Sequence, residues 1–238
     1  MLGKLREVLP GSSAPLFGRM TLAAAVWLAA GLGLSAAVIW AFAGITEEVI
    51  EGDTRRFDRA VLLWIHTHFP GWLEGPMVAV TALGYYRVVL PLLAIFVVVF
   101  YLKGWRLSAV LLTVSTAGGM FLTTVLKAVF QRSRPELFQT GYEAGFYSFP
   151  SGHATVAVGF YGMLALILAY QARGALRWII GAAGVVLVIL IGFSRLYLGV
   201  HYPTDVLAGY LSAPLWVVCV GLLYVAWLSV RGLRRKGG

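Results

Sequence analysis

Charge is scarce in this sequence. Asp, Glu, Lys and Arg make up 12% of its 238 residues, about half the share of an ordinary soluble domain. That shortage excludes a solvated globular chain, whose surface needs a mixed charged coat. Cysteine is nearly absent: Cys219 stands alone, so no intrachain disulfide can form. Its setting, LWVVCVGLLYVAW, makes it a small apolar packing residue. No internal repeat or low-complexity segment is visible, which argues against a transporter built from inverted halves. Acidic residues are few, ten against nineteen basic ones, for a net charge of +9. In a soluble chain that excess would suggest a nucleic-acid partner; here its distribution decides.

What is present is apolar. Hydrophobic residues make up 60% of the chain and mean hydropathy is +0.83, the composition of a membrane protein. Runs long enough to span a bilayer lie at Met20–Ala43, Tyr85–Leu102, Leu107–Phe130, Gly152–Tyr170, Leu176–Phe193 and Val206–Val230. The expected fold is all-α: a polytopic bundle of six transmembrane helices forming a single domain over residues 1–238, with its core motifs at 127–205. Pro76–Leu83 either extends the second span or forms a separate surface helix, and Arg87 either snorkels or faces the bundle interior. Between the first two spans, Phe57, Val61, Trp64 and Ile65 punctuate a charged stretch. Their spacing predicts an amphipathic helix lying on the membrane, with His66 and His68 as interfacial polar residues. Ala41-Phe42-Ala43 resembles a signal-peptidase site, but the apolar run before it is too long for a cleaved signal and reads as an anchor.

Six spans put both termini on one face. Lys4, Arg6, Arg19, the turns at 103–106 and 173–177, and the tail from Arg231 fall there, carrying eleven of the nineteen basic residues and one of the ten acidic ones. The positive-inside rule then predicts cytoplasmic termini in the cell (inner) membrane and an opposite face turned to the periplasm or exterior. The basic excess is a topology signal, so no nucleic-acid partner is expected.

Polar residues out of pattern gather on that opposite face in three clusters: Lys127 to Arg134-Pro135, Pro150-Ser151-Gly152-His153, and Ser194-Arg195 to His201 and Asp205. Lys127, Arg134 and Arg195 bring three cations to one membrane boundary, where an anion between them relieves their repulsion. Arginine forks suit phosphate, and lysine adds a point charge. Ser151-Gly152-His153 opens a helix whose first N–H groups point outward, and Gly152 permits close approach of a ligand. His201 with Asp205 four residues on suits an imidazole held at one nitrogen and free to attack phosphorus with the other. His153 could protonate the departing oxygen. A two-histidine, one-carboxylate metal site from His153, His201 and Asp205 is formally available, but three adjacent cations oppose a divalent ion. No metal and no cofactor are expected.

The three clusters resemble the signature of the type 2 phosphatidic acid phosphatase (PAP2) superfamily: Lys-x6-Arg-Pro at Lys127–Pro135, Pro-Ser-Gly-His at Pro150–His153, and Ser-Arg-x5-His-x3-Asp at Ser194–Asp205. The resemblance implies a six-helix bundle, His201 as nucleophile, Asp205 as its partner and His153 as general acid. It further implies phosphate binding by Lys127, Arg134, Ser151, Gly152 and Arg195. It implies a membrane lipid phosphatase working through a phosphohistidine, with undecaprenyl diphosphate the favoured substrate and phosphatidylglycerophosphate next. A lipid phosphotransferase of the same superfamily and an anionic-solute transporter are the alternatives. Arg132, Tyr142, Glu143 and Tyr147, in the loop between the first two clusters, are candidates to select the headgroup.

Overall fold

The computed structural model of the chain describes residues 22–138, 142, 144–145 and 147–234. Among them every regular element is helical: α1 (Leu22–Glu51), α2 (Arg55–His68), a 3-10 turn (Gly71–Leu73), α3 (Glu74–Ala82), α4 (Tyr86–Leu102), α5 (Arg106–Phe130), α6 (Gly152–Val156), a π-helical segment (Ala157–Gly162), α7 (Met163–Gln171), α8 (Leu176–Tyr197) and α9 (Pro203–Arg234). The chain divides into two compact units within α1, Met1–Ala37 and Val38–Gly238. All three motif clusters lie in the second.

Among the described residues, five stretches are long and apolar enough to cross a membrane: Ala29–Glu51, α5, Gly152–Gln171, α8 and Pro203–Val220. A sixth arises if the segments Gly71–Ala82 and Tyr86–Leu102, bent by 44° at their junction, count as one span. Pro76–Leu83 therefore forms mostly a helix of its own, α3, angled against α4. Arg87 does not face the interior; it is exposed, with its guanidinium near the Tyr85 and Tyr86 rings at 5.9 and 5.7 Å. Cys219 is exposed rather than packed.

The exterior is that of a protein whose solvent is lipid. Val98, Val110, Phe121, Val129, Val185 and Ile189 are each more than half exposed, an apolar coat that would aggregate in water. Polar groups turn inward instead. Thr116 donates to the Gly159 carbonyl at 3.0 Å and Thr123 to Thr155 at 2.9 Å, the interhelical bonds that help hold helices together where the hydrophobic effect gives no preference. α5 packs against α9 and α4, and α8 against α7 and α3. Val89, Leu93, Leu112, Phe160 and Leu164 fill the centre of one side, and Phe42, Phe149 and Ala208 that of another.

The face that α2 presents differs from the expected one. Its buried residues are Asp58, Leu62 and Ile65, whereas Phe57 and Trp64 are exposed. The inward stripe thus follows i, i+4, i+7 from an aspartate, a residue that pattern reading assigns to solvent. Ile65 joins Met77, Tyr197, Leu198 and Val200 in a small cluster that anchors the turn leading into His201.

Candidate active site

Two helix starts meet at the site. Ser151 caps α6: its backbone is extended and its hydroxyl accepts from the Ala154 N–H at 3.5 Å, the geometry of an N-cap serine. Its own N–H donates to the Asp205 carbonyl at 2.9 Å, tying the start of α6 to the first turn of α9. The close approach depends on Gly209, where a Cβ would fall 2.5 Å from the Ser151 carbonyl oxygen. The first N–H groups of α6, those of Gly152 and His153, have no partner within the helix by construction.

A cavity of about 500 Å³ opens beside these starts. Lys127, Arg134, Gly152, His153, Arg195 and His201 line it, together with Tyr142, Thr81 and the apolar wall of Val78, Ala82, Tyr85 and Val88. Six of the eight residues expected to form the site therefore share one cavity, although their motifs lie far apart in the chain. Ser151 and Asp205 sit behind that lining, Ser151 as the cap and Asp205 as a partner of His201.

His201 is almost completely buried. Its Nδ1 lies 3.4 Å from Asp205 Oδ2, a long contact of the kind that tightens when the ring gains charge. Its Nε2 faces Arg134 Nη1 at 3.2 Å. Burial, then the charges of Arg195, Arg134 and Lys127, holds His201 well below the ordinary histidine range. The ring is therefore neutral at physiological pH. Arg134 can only donate, so Nε2 is the acceptor in that contact and the ring proton sits on Nδ1, toward Asp205.

Three cations converge on the cavity. Lys127, in the last turn of α5, donates to the carbonyls of Tyr147 and Ser148. Arg195, in the last turn of α8, donates from Nη1 to Thr81 Oγ1 at 2.7 Å and lies 5.1 Å above the Tyr142 ring. Neither has a carboxylate within ion-pair distance among the described residues. Arg134 donates to the carbonyls of Val200 at 2.6 Å and Gly145 at 2.7 Å. Burial and the neighbouring Arg195 charge pull Arg134 down to about 10, the mark of crowded positive charge. Two buried nitrogens at the site, His153 Nε2 and Arg195 Nε, have no hydrogen-bond partner among the described residues. Buried donors left in this way are costly to keep unless a ligand satisfies them. The arrangement suits an anion of several acceptor oxygens.

His153 is braced from behind. At Gly84, in the break between α3 and α4, a Cβ would meet His153 Cδ2 at 2.8 Å, so only glycine lets the backbone lie against the ring. The Tyr161 hydroxyl, from the π-helical segment, donates to the Leu83 carbonyl at 2.8 Å and fixes that break in place.

Of the four loop residues considered for the headgroup, Tyr142 lines the cavity, Tyr147 offers its carbonyl to Lys127, and Glu143 lies outside the described residues. Arg132 turns away from the cavity and pairs with Asp205 and Asp58, both at 2.7 Å. Sequence reading missed Asp58, Thr204 and Thr81, whose partners come from distant segments. His66 and His68 stack on Phe138 and Trp64 rather than reaching the site.

Residues 108–231 match the PAP2 superfamily, and all three motif clusters fall inside that stretch. The chain belongs to the PAP2 superfamily. Phosphatidylglycerophosphatase B of Bacillus subtilis is 38% identical over 146 residues, spanning 58% of this chain and 69% of the relative. Putative undecaprenyl-diphosphatase YbjG of Escherichia coli is 30% identical over 142 residues, covering 58% and 68%. Among solved structures, the transmembrane PAP2 type phosphatidylglycerolphosphate phosphatase from Bacillus subtilis matches with a TM-score of 0.70 at 25% identity, over 85% of this chain and 96% of that one. This PAP2 protein is a phosphatase and a multi-pass membrane protein.

With His201 expected to be the attacking group, its ionisation is expected to set the acid side of the pH dependence. A histidine with a depressed pKa stays neutral as pH falls through about 6.5, the unperturbed value, and protonates only well below it. The acid limb of kcat/KM, which reports the free enzyme, is expected below that point. Loss of Arg134 charge near pH 10 bounds the alkaline side. A pH–rate series in detergent checks both limbs; a half-loss of kcat/KM on the acid side at pH 6.5 or above would contradict the buried, cation-flanked His201.

Proposed function

We propose that the cavity is the active site of a metal-independent phosphatase acting on a phosphorylated membrane lipid. The observation that carries this reading is the convergence of two histidines and three cations on one cavity that is also lined by apolar side chains. Phosphoryl oxygens lie against Lys127, Arg134 and Arg195, with the first N–H groups of α6 assisting; the lipid tail leaves past Val78, Ala82 and Val88 into the bilayer. His201 Nε2 attacks phosphorus in line. The bond from that phosphorus to the leaving oxygen (the bridging oxygen in a diphosphate, the lipid alkoxide oxygen in a monoester) breaks as His153 supplies that oxygen with a proton, leaving phosphate on His201. Water, deprotonated by His153, then attacks that phosphorus, and inorganic phosphate departs. In phosphoryl transfer positioning and electrostatics supply most of the rate, so fixed cations serve where other enzymes use magnesium.

The whole chain is read as one membrane domain, with six spans, α2 lying at the interface, cytoplasmic termini in the inner membrane and the site facing the periplasm or exterior. The positive-inside distribution supports that orientation. Undecaprenyl diphosphate is proposed as the substrate, ahead of phosphatidylglycerophosphate. The relatives' names include both activities, and three cations match the charge of a diphosphate more closely than that of a monoester.

Phosphate release by the purified protein, measured on undecaprenyl diphosphate, phosphatidylglycerophosphate, phosphatidic acid and lipid A, tests the assignment. Release is expected to persist in EDTA, to be blocked by vanadate, and to be fastest on undecaprenyl diphosphate. Loss of activity in EDTA with recovery on adding a divalent metal would overturn the mechanism. Transfer of the phosphoryl group to an acceptor other than water would make the protein a phosphotransferase.

A further inference from the structure

Asp58 is the one carboxylate on the inward stripe of α2, and it is fully buried. A carboxylate so placed persists only where donors and cations satisfy it. Both oxygens are satisfied. Oδ1 accepts from the Thr204 N–H at 3.1 Å, and Oδ2 from the Thr204 hydroxyl at 2.8 Å and Arg132 Nη2 at 2.7 Å. The other fork of Arg132, Nη1, donates to Asp205 Oδ1 at 2.7 Å and to Thr204 Oγ1 at 2.8 Å. The guanidinium lies over the Tyr202 ring, 4.3 Å from its centre.

Two features of α9 make this arrangement consequential. Tyr202 precedes the first residue of the helix and has no short oxygen to cap it, so an acceptor for the Thr204 N–H comes instead from α2. The second concerns Asp205, whose oxygens are divided. Oδ1 belongs to Arg132, while Oδ2 accepts from the Tyr202 N–H at 2.8 Å and faces His201 Nδ1. The hold of Arg132 on one oxygen therefore sets where the other points.

We propose that Asp58 and Arg132 are positioning residues for the phosphatase reaction: as a bridge from α2 they fix the carboxylate of Asp205, and through it the tautomer and aim of the His201 ring. The proposal rests on the assignment of His201 as nucleophile. It makes α2, which lies outside all three sequence motifs, part of the machinery that orients the attacking group. It also gives Arg132 a role different from headgroup recognition, because the side chain does not line the cavity. A planar fork is required, since a lysine ammonium is a point charge that cannot hold two carboxylates in fixed register.

The test is steady-state kinetics of the full chain in detergent, on undecaprenyl diphosphate and phosphatidylglycerophosphate, for Asp58→Asn, Arg132→Lys and Arg132→Ala. Partners of this kind that orient a reacting group are worth about 10- to 100-fold. The expected kcat falls by about 10-fold for Asp58→Asn and Arg132→Lys and about 100-fold for Arg132→Ala, equally on both lipids, with KM within about twofold. The acid limb should move to higher pH in Arg132→Ala, because Asp205 released from Arg132 holds a proton on His201 more tightly. Should Arg132→Ala not fold, the two conservative variants carry the test. A wild-type kcat and pH profile in the folded variants overturns the proposal, even if their thermal stability drops. So does a rise in KM that differs between the two lipids, which would return Arg132 to the headgroup. If the wild-type protein itself releases no phosphate from either lipid, it is the phosphatase assignment that fails.

Discussion

His201→Ala is expected to lower kcat by about 10⁵-fold, to the level where positioning and charge alone assist water. No other residue at the cavity can replace it. His153 has its ring packed against the Gly84 backbone and its Nε2 without a partner, and it lacks the adjacent carboxylate that fixes the His201 tautomer. Removing a side chain that is 2% exposed leaves a small void, so the variant should fold and still bind lipid. Phosphate release together with equilibrium binding of the same substrate measures the two separately. Arg87→Ala is the control, since that side chain is exposed and is not itself part of the cavity lining. An active His201→Ala protein would require a different nucleophile.

Arg195→Met should have the second-largest effect, about 10³-fold in kcat/KM. Removing one preorganised donor to a developing charge costs on the order of 10² to 10³ in rate. Arg195 combines that role with deep burial, a fixed orientation from Thr81 and an Nε that no other described residue satisfies. Methionine preserves the apolar stem and much of the volume, which separates the charge from the packing. Arg195→Lys should recover about tenfold of the loss, by restoring charge without the fork. Equal activity of the Met and Lys variants would show that charge at this position contributes nothing.

Much of the fold could be read from the chain because membrane spans obey a coarse rule: a helix must cover the bilayer with apolar residues, and apolar runs are visible one after another. The boundaries of α5, α6–α7 and α8 accordingly fall close to expectation. Asp58 shows where that rule fails. Hydrophobic patterning treats a charge as a mark of the solvent side, and nothing local in α2 announces that Arg132 and Thr204 will arrive to satisfy it. The same holds for Thr81, whose hydroxyl orients Arg195 from 114 residues away. The cavity residues were legible for a different reason. Lys127, Arg134, His153, Arg195 and His201 stand at the ends of apolar spans, where a charge is conspicuous and its neighbours in the motif fix its spacing. The bend at Gly84 was half legible: the sequence offered an extended span or a separate helix, and the His153 ring packed against the glycine accounts for the break.

The measurement closest to the centre of this account is a rapid quench of the enzyme with lipid carrying a labelled reactive phosphate, followed by mapping of the label on the chain. The account predicts a covalent label on His201 that survives alkali and is lost in acid, as expected of a phosphorus–nitrogen bond, and none in His201→Ala. Label on another residue, or single-turnover phosphate release at the full rate with no labelled protein at any time, would contradict it.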